Sequence, residues 1–279
     1  MAAFSDSSFK ADDYNSFRPT YTNEVFHEIV KYHTGEHDLA VDIGCGSGQA
    51  SYPLTEYFKH VIGTDLSHAM INTANNRITE EYKDRIKFVQ SPAETLEFLD
   101  DSSVDLVTAA QCIHWFDHPK FFKEIHRVLK PNGTIAFWGY ADPIFNVAEA
   151  DAMSEQFTYD DPAKLGPYWE QPGRQILRDL LKDVNAPEPQ FTELKTYEHI
   201  PGVSDGKSPL QIRREVPLEF YGKYVKTWSS YHNWEKAHRG EPDIADQYIR
   251  ELQARLKWTP KTRVTLEWLT VLKLARKRL

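Results

Sequence analysis

Cysteine is scarce in this chain: 279 residues carry two, Cys45 and Cys112. Two thiols make neither a disulfide framework nor a metal-ligand set, and both read as small apolar fillers near strand ends. Positive charge is also short, with 33 Lys and Arg against 41 Asp and Glu and a net charge of −8. That balance excludes the basic surface on which nucleic-acid binding depends. No apolar run is long enough to span a bilayer, so no membrane partner is expected. The opening residues Met1 to Asp6 lack the basic and apolar regions of a secretory signal, and a cytoplasmic, reducing setting is the expectation. The basic Arg276-Lys277-Arg278-Leu279 reads as the solvated end of an element. No internal repeat and no low-complexity tract is present.

What is present is a core-forming composition, 41% apolar and 13% aromatic, with seven Trp and fourteen Tyr. The most informative run is Val41-Asp42-Ile43-Gly44-Cys45-Gly46-Ser47-Gly48-Gln49-Ala50-Ser51. A short apolar strand, Leu39–Ile43, ends in three glycines at alternate positions. A helix over Ala50–Phe58 follows, then a second strand, His60–Thr64, ending in Asp65. Glycines at a strand-to-helix turn let the backbone approach a ligand closely. An acidic residue at the tip of the next strand is placed to accept hydrogen bonds from ribose hydroxyls. The pattern is G-x-G-x-G, not the G-x-G-x-x-G of dinucleotide sites. Asp42, two residues before the first glycine, would repel a pyrophosphate but suits a ligand with an ammonium group. S-adenosylmethionine (SAM) has no phosphate and carries both an amine and a sulfonium.

The alternation continues with a helix over Ala69–Arg77 and strands at Ile86–Gln90 and Val104–Ala109. A helix at Pro119–Leu129, a turn at Lys130-Pro131-Asn132-Gly133 and a strand at Thr134–Trp138 follow. Strands alternating with helices imply a parallel sheet with helices on both faces. A helix over Asn23–His33 precedes it. After Tyr140 the alternation stops, and Ala141–Pro172 carries four prolines together with Tyr159, Tyr168 and Trp169, which reads as a lid or insertion. A helix at Arg174–Leu181, a strand at Phe191–Ile200, a loop at Pro201–Pro209, helices at Leu218–Trp234 and Asp243–Lys257 and a strand at Arg263–Thr270 complete the chain. The division expected is a cap over the cofactor in residues 1–35, a cofactor core in 36–140, and a lid with the remaining strands and helices of the same domain in 141–279.

In open α/β sheets ligands bind beyond the carboxyl ends of the strands. Asp42, Gly44, Cys45, Gly46 and Gly48 are expected around the methionine part of SAM, and Asp65, Leu66 and Met70 around the ribose. Ala93 and Glu94 follow the third strand. Gln111 to Phe116 follow the fourth strand and face both cofactor and acceptor, with His114 and Trp115 at the mouth. His114 is a candidate catalytic base, and a structural histidine is the alternative. Transfer to a carboxylate needs no proton removed, because such groups are ionised at pH 7.

The run Val41–Phe137 resembles motif I and its surroundings in class I SAM-dependent methyltransferases. The resemblance implies an α/β, Rossmann-like, seven-stranded sheet with a late antiparallel strand and a C-terminal substrate-covering elaboration. It also implies a contact of Ala93 and Glu94 with the adenine edge; a solvated helix start is the alternative for Glu94. Beyond that core the chain is similar to fungal trans-aconitate methyltransferases. Tyr14-Asn15-Ser16-Phe17-Arg18-Pro19-Thr20-Tyr21 resembles their N-terminal segment, which places Tyr14 and Arg18 at the cofactor. Trp138 to Phe145, Gly166 to Arg174, Thr227 to Trp234 and Asp243 to Asp246 resemble further signatures. The resemblance implies SAM as cofactor and a small polycarboxylic acid as acceptor. Such an acceptor calls for arginines, whose fork binds carboxylates bidentately. Arg18, Arg174, Arg213 and Arg214 are the candidates, with Trp138, Tyr140, Trp169 and Tyr231 able to exclude water. A lipophilic acceptor and a non-enzymatic SAM-binding regulator are the alternatives. Nothing in the sequence sets the oligomeric state.

Overall fold

The computed structural model describes residues 16–279; Tyr14 lies outside them. Helix α1 (Asn23–Tyr32) turns Val25, Phe26 and Ile29 inward. Then come β1 (Leu39–Ile43), the single turn α2 (Ser51–Leu54), β2 (His60–Asp65), α3 (His68–Asn75), β3 (Ile86–Gln90), β4 (Val104–Ala110), α4 (His118–Val128) and β5 (Leu129–Phe145). The second half holds α5 (Ala148–Glu155), α6 (Gly173–Arg178), β6 (Phe191–His199), β7 (Ile212–Pro217), α7 (Leu218–Val225), α8 (Ser229–Ala237), α9 (Ile244–Leu256) and β8 (Arg263–Lys277). Side-chain caps start three helices. Ser67 accepts from Met70 N, Asp117 from Lys120 N and Asp243 from Asp246 N, each satisfying an amide that the helix leaves open.

One sheet runs through these residues in the order β3-β2-β1-β4-β5-β8-β6, and β7 also pairs β8. Strands β1 to β5 are parallel and β8 is antiparallel to β5. The sheet therefore has eight strands, not the expected seven. The extra one arises because β8 is long enough for two neighbours in tandem. Val264–Trp268 pair with β7, and Thr270–Lys277 pair with β6. The sequence hides β7 because Arg213 and Arg214 sit inside it and Pro217 closes it. Charges and prolines of this kind belong on a strand at a sheet edge.

Other expectations change in detail. The helix expected over Ala50–Phe58 is one α turn followed by tighter turns, in which Thr55, Glu56 and Tyr57 donate to carbonyls three residues or fewer behind. Pro53 fits the first turn but offers no amide to extend it. The helix expected over Leu218–Trp234 breaks between Val225 and Ser229. There Thr227 Oγ1 donates to Tyr224 O at 2.6 Å, competing with the backbone for that carbonyl. The Lys130–Gly133 turn forms, with Asn132 at φ 63°, but as an irregularity inside β5. The strand does not stop at Trp138; it runs on to Phe145.

Both faces of the sheet are covered, and alternate residues of β5 serve the two cores. Ala136 and Trp138 join Phe26, Tyr221 and Trp268 on one face. Ile135 and Phe137 join Ile43, Val107, Phe121 and Val271 on the other. At the foot of the sheet the buried Asp105 accepts from Asp38 N and Leu39 N at 3.2 and 2.9 Å, and Lys130 Nζ lies 2.9 Å from its other oxygen. This carboxylate pins the start of β1 beside β4. Asp105→Ala strands two backbone donors, so urea denaturation should show a loss of about 2–3 kcal/mol; an unchanged midpoint would contradict the role.

Candidate cofactor and acceptor site

The order β2-β1-β4 reverses direction between β1 and β4, the position where open α/β sheets form a crevice. A cavity of about 690 Å³ opens there. Its floor is the glycine loop. Gly44, Gly46 and Gly48 have φ of 63°, 55° and 86°, values that side chains resist. They do different work. A Cβ on Gly46 would meet nothing within 4 Å, whereas one on Gly44 would strike Cys112 and one on Gly48 would strike Tyr52 and Phe88. Gly44, Cys45 and Gly46 line the cavity; Gly48 does not, and it serves loop packing instead of ligand contact.

Asp65 Oδ2 accepts from Gly46 N at 2.9 Å and Oδ1 from Ser67 N at 2.8 Å, so β2 and the loop are tied by the same carboxylate that faces the cavity. Burial pushes its pKa up, opposed by those amides. Leu66, Met70, Ala93 and Glu94 line the same cavity, as do Gln111, His114 and Trp115. Gln111 is held in the left-handed region at φ 58°, a strain that persists where surrounding contacts over-determine it. Here they do. Its side chain donates to Tyr140 O at 2.9 Å and accepts from Tyr140 N at 2.6 Å.

Asp42 is a correction. It is fully buried, absent from the lining, and accepts from Ser51 Oγ at 2.6 Å and Thr108 Oγ1 at 2.7 Å. Its carboxylate is spent on the frame and does not face a ligand ammonium. Burial pushes its pKa up to about 6, and the two hydroxyls oppose that rise.

Next to the large cavity lies a small pocket of about 40 Å³, and Gln111, His114 and Trp115 line both. Arg18, Tyr140, Asp142, Trp169, Arg174, Tyr224 and Trp228 complete it. Arg18 lines this small pocket and not the large cavity. Gly173 lets α6 approach, since a Cβ there would overlap the Trp115 ring and His114 O. Arg174 lies 3.9 Å over the Trp169 ring centroid and is already paired. Its guanidinium donates to Asp142 and to Tyr159 Oη. Burial works against its charge, but Asp142 and Tyr159 outweigh that and raise its pKa. His114 is buried, and its Nδ1 has no hydrogen-bond partner among the described residues. Burial first, then the nearby Arg174, His118 and Arg18, push its pKa down to about 3. It is a neutral imidazole at pH 7 and a poor proton acceptor.

Three expected acceptor residues lie elsewhere. Arg213 is exposed on β7. Arg214 braces the N-terminal segment, donating to Thr20 Oγ1 at 2.9 Å and Arg18 O at 3.4 Å. Tyr231 donates to Asp243 at 2.7 Å, which holds two helices together. Conversely, Asp142, Tyr224, Trp228 and the Glu170–Gly173 wall were not singled out as site residues in the sequence. Asp142 was findable in principle, because it lies just past Tyr140 on the strand beside β4.

A glycine-floored crevice at the switch point, with a carboxylate at the tip of β2, defines an α/β enzyme fold for a nucleoside-type cofactor. A methyltransferase-domain profile matches residues 41–137. The protein named "Probable S-adenosylmethionine-dependent methyltransferase CRG1" of Saccharomyces cerevisiae is 32% identical over 99% of this chain and 98% of its own. A Dictyostelium discoideum methyltransferase candidate is 32% identical over 88% of this chain and 84% of its own. Among solved structures, a candidate type II methyltransferase from Anaeromyxobacter dehalogenans has a TM-score of 0.71 at 28% identity, covering 93% of this chain and 98% of that one. The fold is shared with Haemonchus contortus phosphoethanolamine N-methyltransferase 2, solved with S-adenosylhomocysteine, at TM-score 0.54 and 17% identity over 99% of this chain and 60% of that one. The chain belongs to the SAM-dependent methyltransferases.

The residues present fit SAM. The open space above Gly46 admits the methionine part, Asp65 can accept from ribose hydroxyls, and Leu66, Met70 and Ala93 offer apolar surface to the adenine. The bound cofactor supplies a methyl group on an electrophilic sulfonium. Gly46→Val should abolish SAM binding while circular dichroism stays native. Asp65→Ala should weaken binding by about 1.5–3 kcal/mol. Calorimetry with either variant binding SAM normally would contradict this assignment.

Proposed function

We propose that this methyltransferase forms the methyl ester of a small carboxylic acid, with a polycarboxylate such as trans-aconitate as the type. The observation that carries this reading is the pair of guanidiniums, Arg18 and Arg174, lining a pocket that adjoins the cofactor cavity through His114, Gln111 and Trp115. The chain as a whole is acidic, so attraction for an anion has to come from such local cations. The state of His114 points the same way. A phenol or amine acceptor is helped by a base of pKa near neutrality, and His114 lies far below that. A carboxylate arrives ionised and needs only approach and alignment. The neutral imidazole then serves as a hydrogen-bonding wall that orients the acceptor through Nδ1.

Of the cap expected in residues 1–35, the described part is proposed to close the site, because Tyr21 lines the cofactor cavity and Arg18 the small pocket; residues 1–15 lie outside the described residues. The chain is proposed to work in the cytoplasm on a small molecule, not on nucleic acid. No helix of the described residues is long and apolar enough to cross a membrane. The aromatic lining of Trp115, Trp169, Trp228 and Tyr224 favours one competing reading, a lipophilic neutral acceptor. Incubating the enzyme with radiolabelled SAM and separate panels of organic acids, phenols and thiols decides between them. Base-labile methyl esters should form from the acids, and label transferred only to phenols or thiols would reject the reading. With a good acid acceptor, kcat should show no inflection near pH 6.5, because His114 stays neutral well below that pH.

A further inference from the structure

Asp142 stands between two cavities. One is the small pocket beside the cofactor cavity; the other, on the far side, has a volume of about 440 Å³, and both include Ala141 and Asp142 in their walls. A bulge puts it there. Between Tyr140 and Pro143 the pairing of β5 with β8 slips by one residue, since Tyr140 faces Thr270 while Pro143 faces Trp268. Bulges of this kind re-aim side chains beside binding sites. One Asp142 oxygen accepts from Arg174, and the other accepts from Tyr159 Oη at 2.5 Å. Arg174 Nε in turn donates to Tyr159 Oη at 2.7 Å. The cationic fork that an acceptor carboxylate would use is therefore filled by a carboxylate of the protein itself.

The small pocket, at about 40 Å³, has room for little more than one water, so a group must move before an organic acid fits inside it. Asp142 has somewhere to go. Arg178 Nε lies 4.0 Å from its Oδ2, and Arg178 lines the second cavity, where it also pairs with Glu155 at 2.6 Å. A shift from Arg174 to Arg178 keeps the half-buried Asp142 paired. The same shift takes the Asp142 carboxylate out of the wall that the two cavities share, leaving Ala141 in it.

We propose that Asp142 determines acceptor specificity: it is a resident carboxylate that holds Arg174 until an acceptor carboxylate replaces it, and Asp142 then passes to Arg178. This rests on the acid-acceptor reading above. A neutral molecule offers Arg174 nothing in exchange and leaves the wall closed. A carboxylate replaces like with like.

The test compares initial rates for wild type, Asp142→Asn, Arg178→Gln and the double variant, with SAM saturating. The probes are trans-aconitate and its dimethyl ester, which keeps one carboxylate but loses the anchoring ones. Asp142→Asn should lower the trans-aconitate KM about fivefold or more relative to the KM of the dimethyl ester, because the competing charge is gone. Arg178→Gln should raise the trans-aconitate KM about threefold or more, and that rise should vanish in the double variant, since the two residues act through one step. A merely structural Asp142 would not lower the KM when replaced, nor make the Arg178→Gln effect depend on its own presence. If circular dichroism shows Asp142→Asn unfolded, Asp142→Ser carries the same expectation. An unchanged or raised KM in the Asp142 variant, or an Arg178→Gln effect that survives in the double variant, overturns the proposal. Wild type that esterifies no acid overturns the acid-acceptor reading and this inference together; wild type that esterifies acids without the KM pattern overturns only the inference.

Discussion

The two hydrogen bonds to the buried carboxylate of Asp42 fix the geometry on which the site depends. Ser51 lies at the start of α2 and Thr108 inside β4, so one side chain of β1 ties its own strand to the next and to the helix after the glycine loop. The loop between has three residues at positive φ and few side chains to hold it. Its shape comes from its ends. Asp42 holds one end, and Asp65 holds the middle through the Gly46 amide. Burying a carboxylate opposes ionisation, which accounts for the upward push on Asp42 and means that folding energy is spent to keep the loop in place.

Much of the cofactor half was legible because its signals are local. Positive-φ glycines, an acidic strand tip and short apolar strands are written in runs of five to eleven residues, and Gly44, Cys45, Gly46, Asp65, Leu66, Met70, Ala93 and Glu94 all meet at one cavity. Asp42 was misplaced for a physical reason. A carboxylate beside a glycine loop looks the same in sequence whether its partners are ligand atoms or two hydroxyls nine and sixty-six residues away. The acceptor half was less legible because its geometry is long-range. Nothing near Arg213 or Arg214 tells which face of β7 they take, and that depends on the register with β8. Arg174 lines the small pocket, but its partner Asp142 is set by a bulge that only the pairing with β8 reveals.

The electrostatics of the two halves differ in kind. On the cofactor side, buried carboxylates are satisfied by neutral donors, the hydroxyls of Ser51 and Thr108 and the amides of Gly46 and Ser67. On the acceptor side, charge meets charge: Arg174 with Asp142, and Arg178 with Glu155. Neutral partners make a rigid frame, whereas ion pairs can exchange one partner for another. His114 sits at the join, uncharged, and so repels neither the cofactor's sulfonium nor the arginines.

The tandem pairing of β6 and β7 along one edge of β8 also bears on how the chain reaches its folded state. Strand β8 closes the sheet on β5, β6 and β7 at once, yet it comes after all of them in the chain. Contacts such as Ala136 with Leu274 close very long loops, and such contacts form late and slowly. Until β8 arrives, the apolar β5 has a bare edge, and exposed edges of this kind invite association between chains. The glycine loop and the parallel strands β1 to β4, by contrast, pair among themselves without it. The order of the strands thus leaves the floor of the SAM crevice independent of β8, while the small pocket beside it, built against β5 near Tyr140 and Asp142, depends on the strand that the chain reaches last.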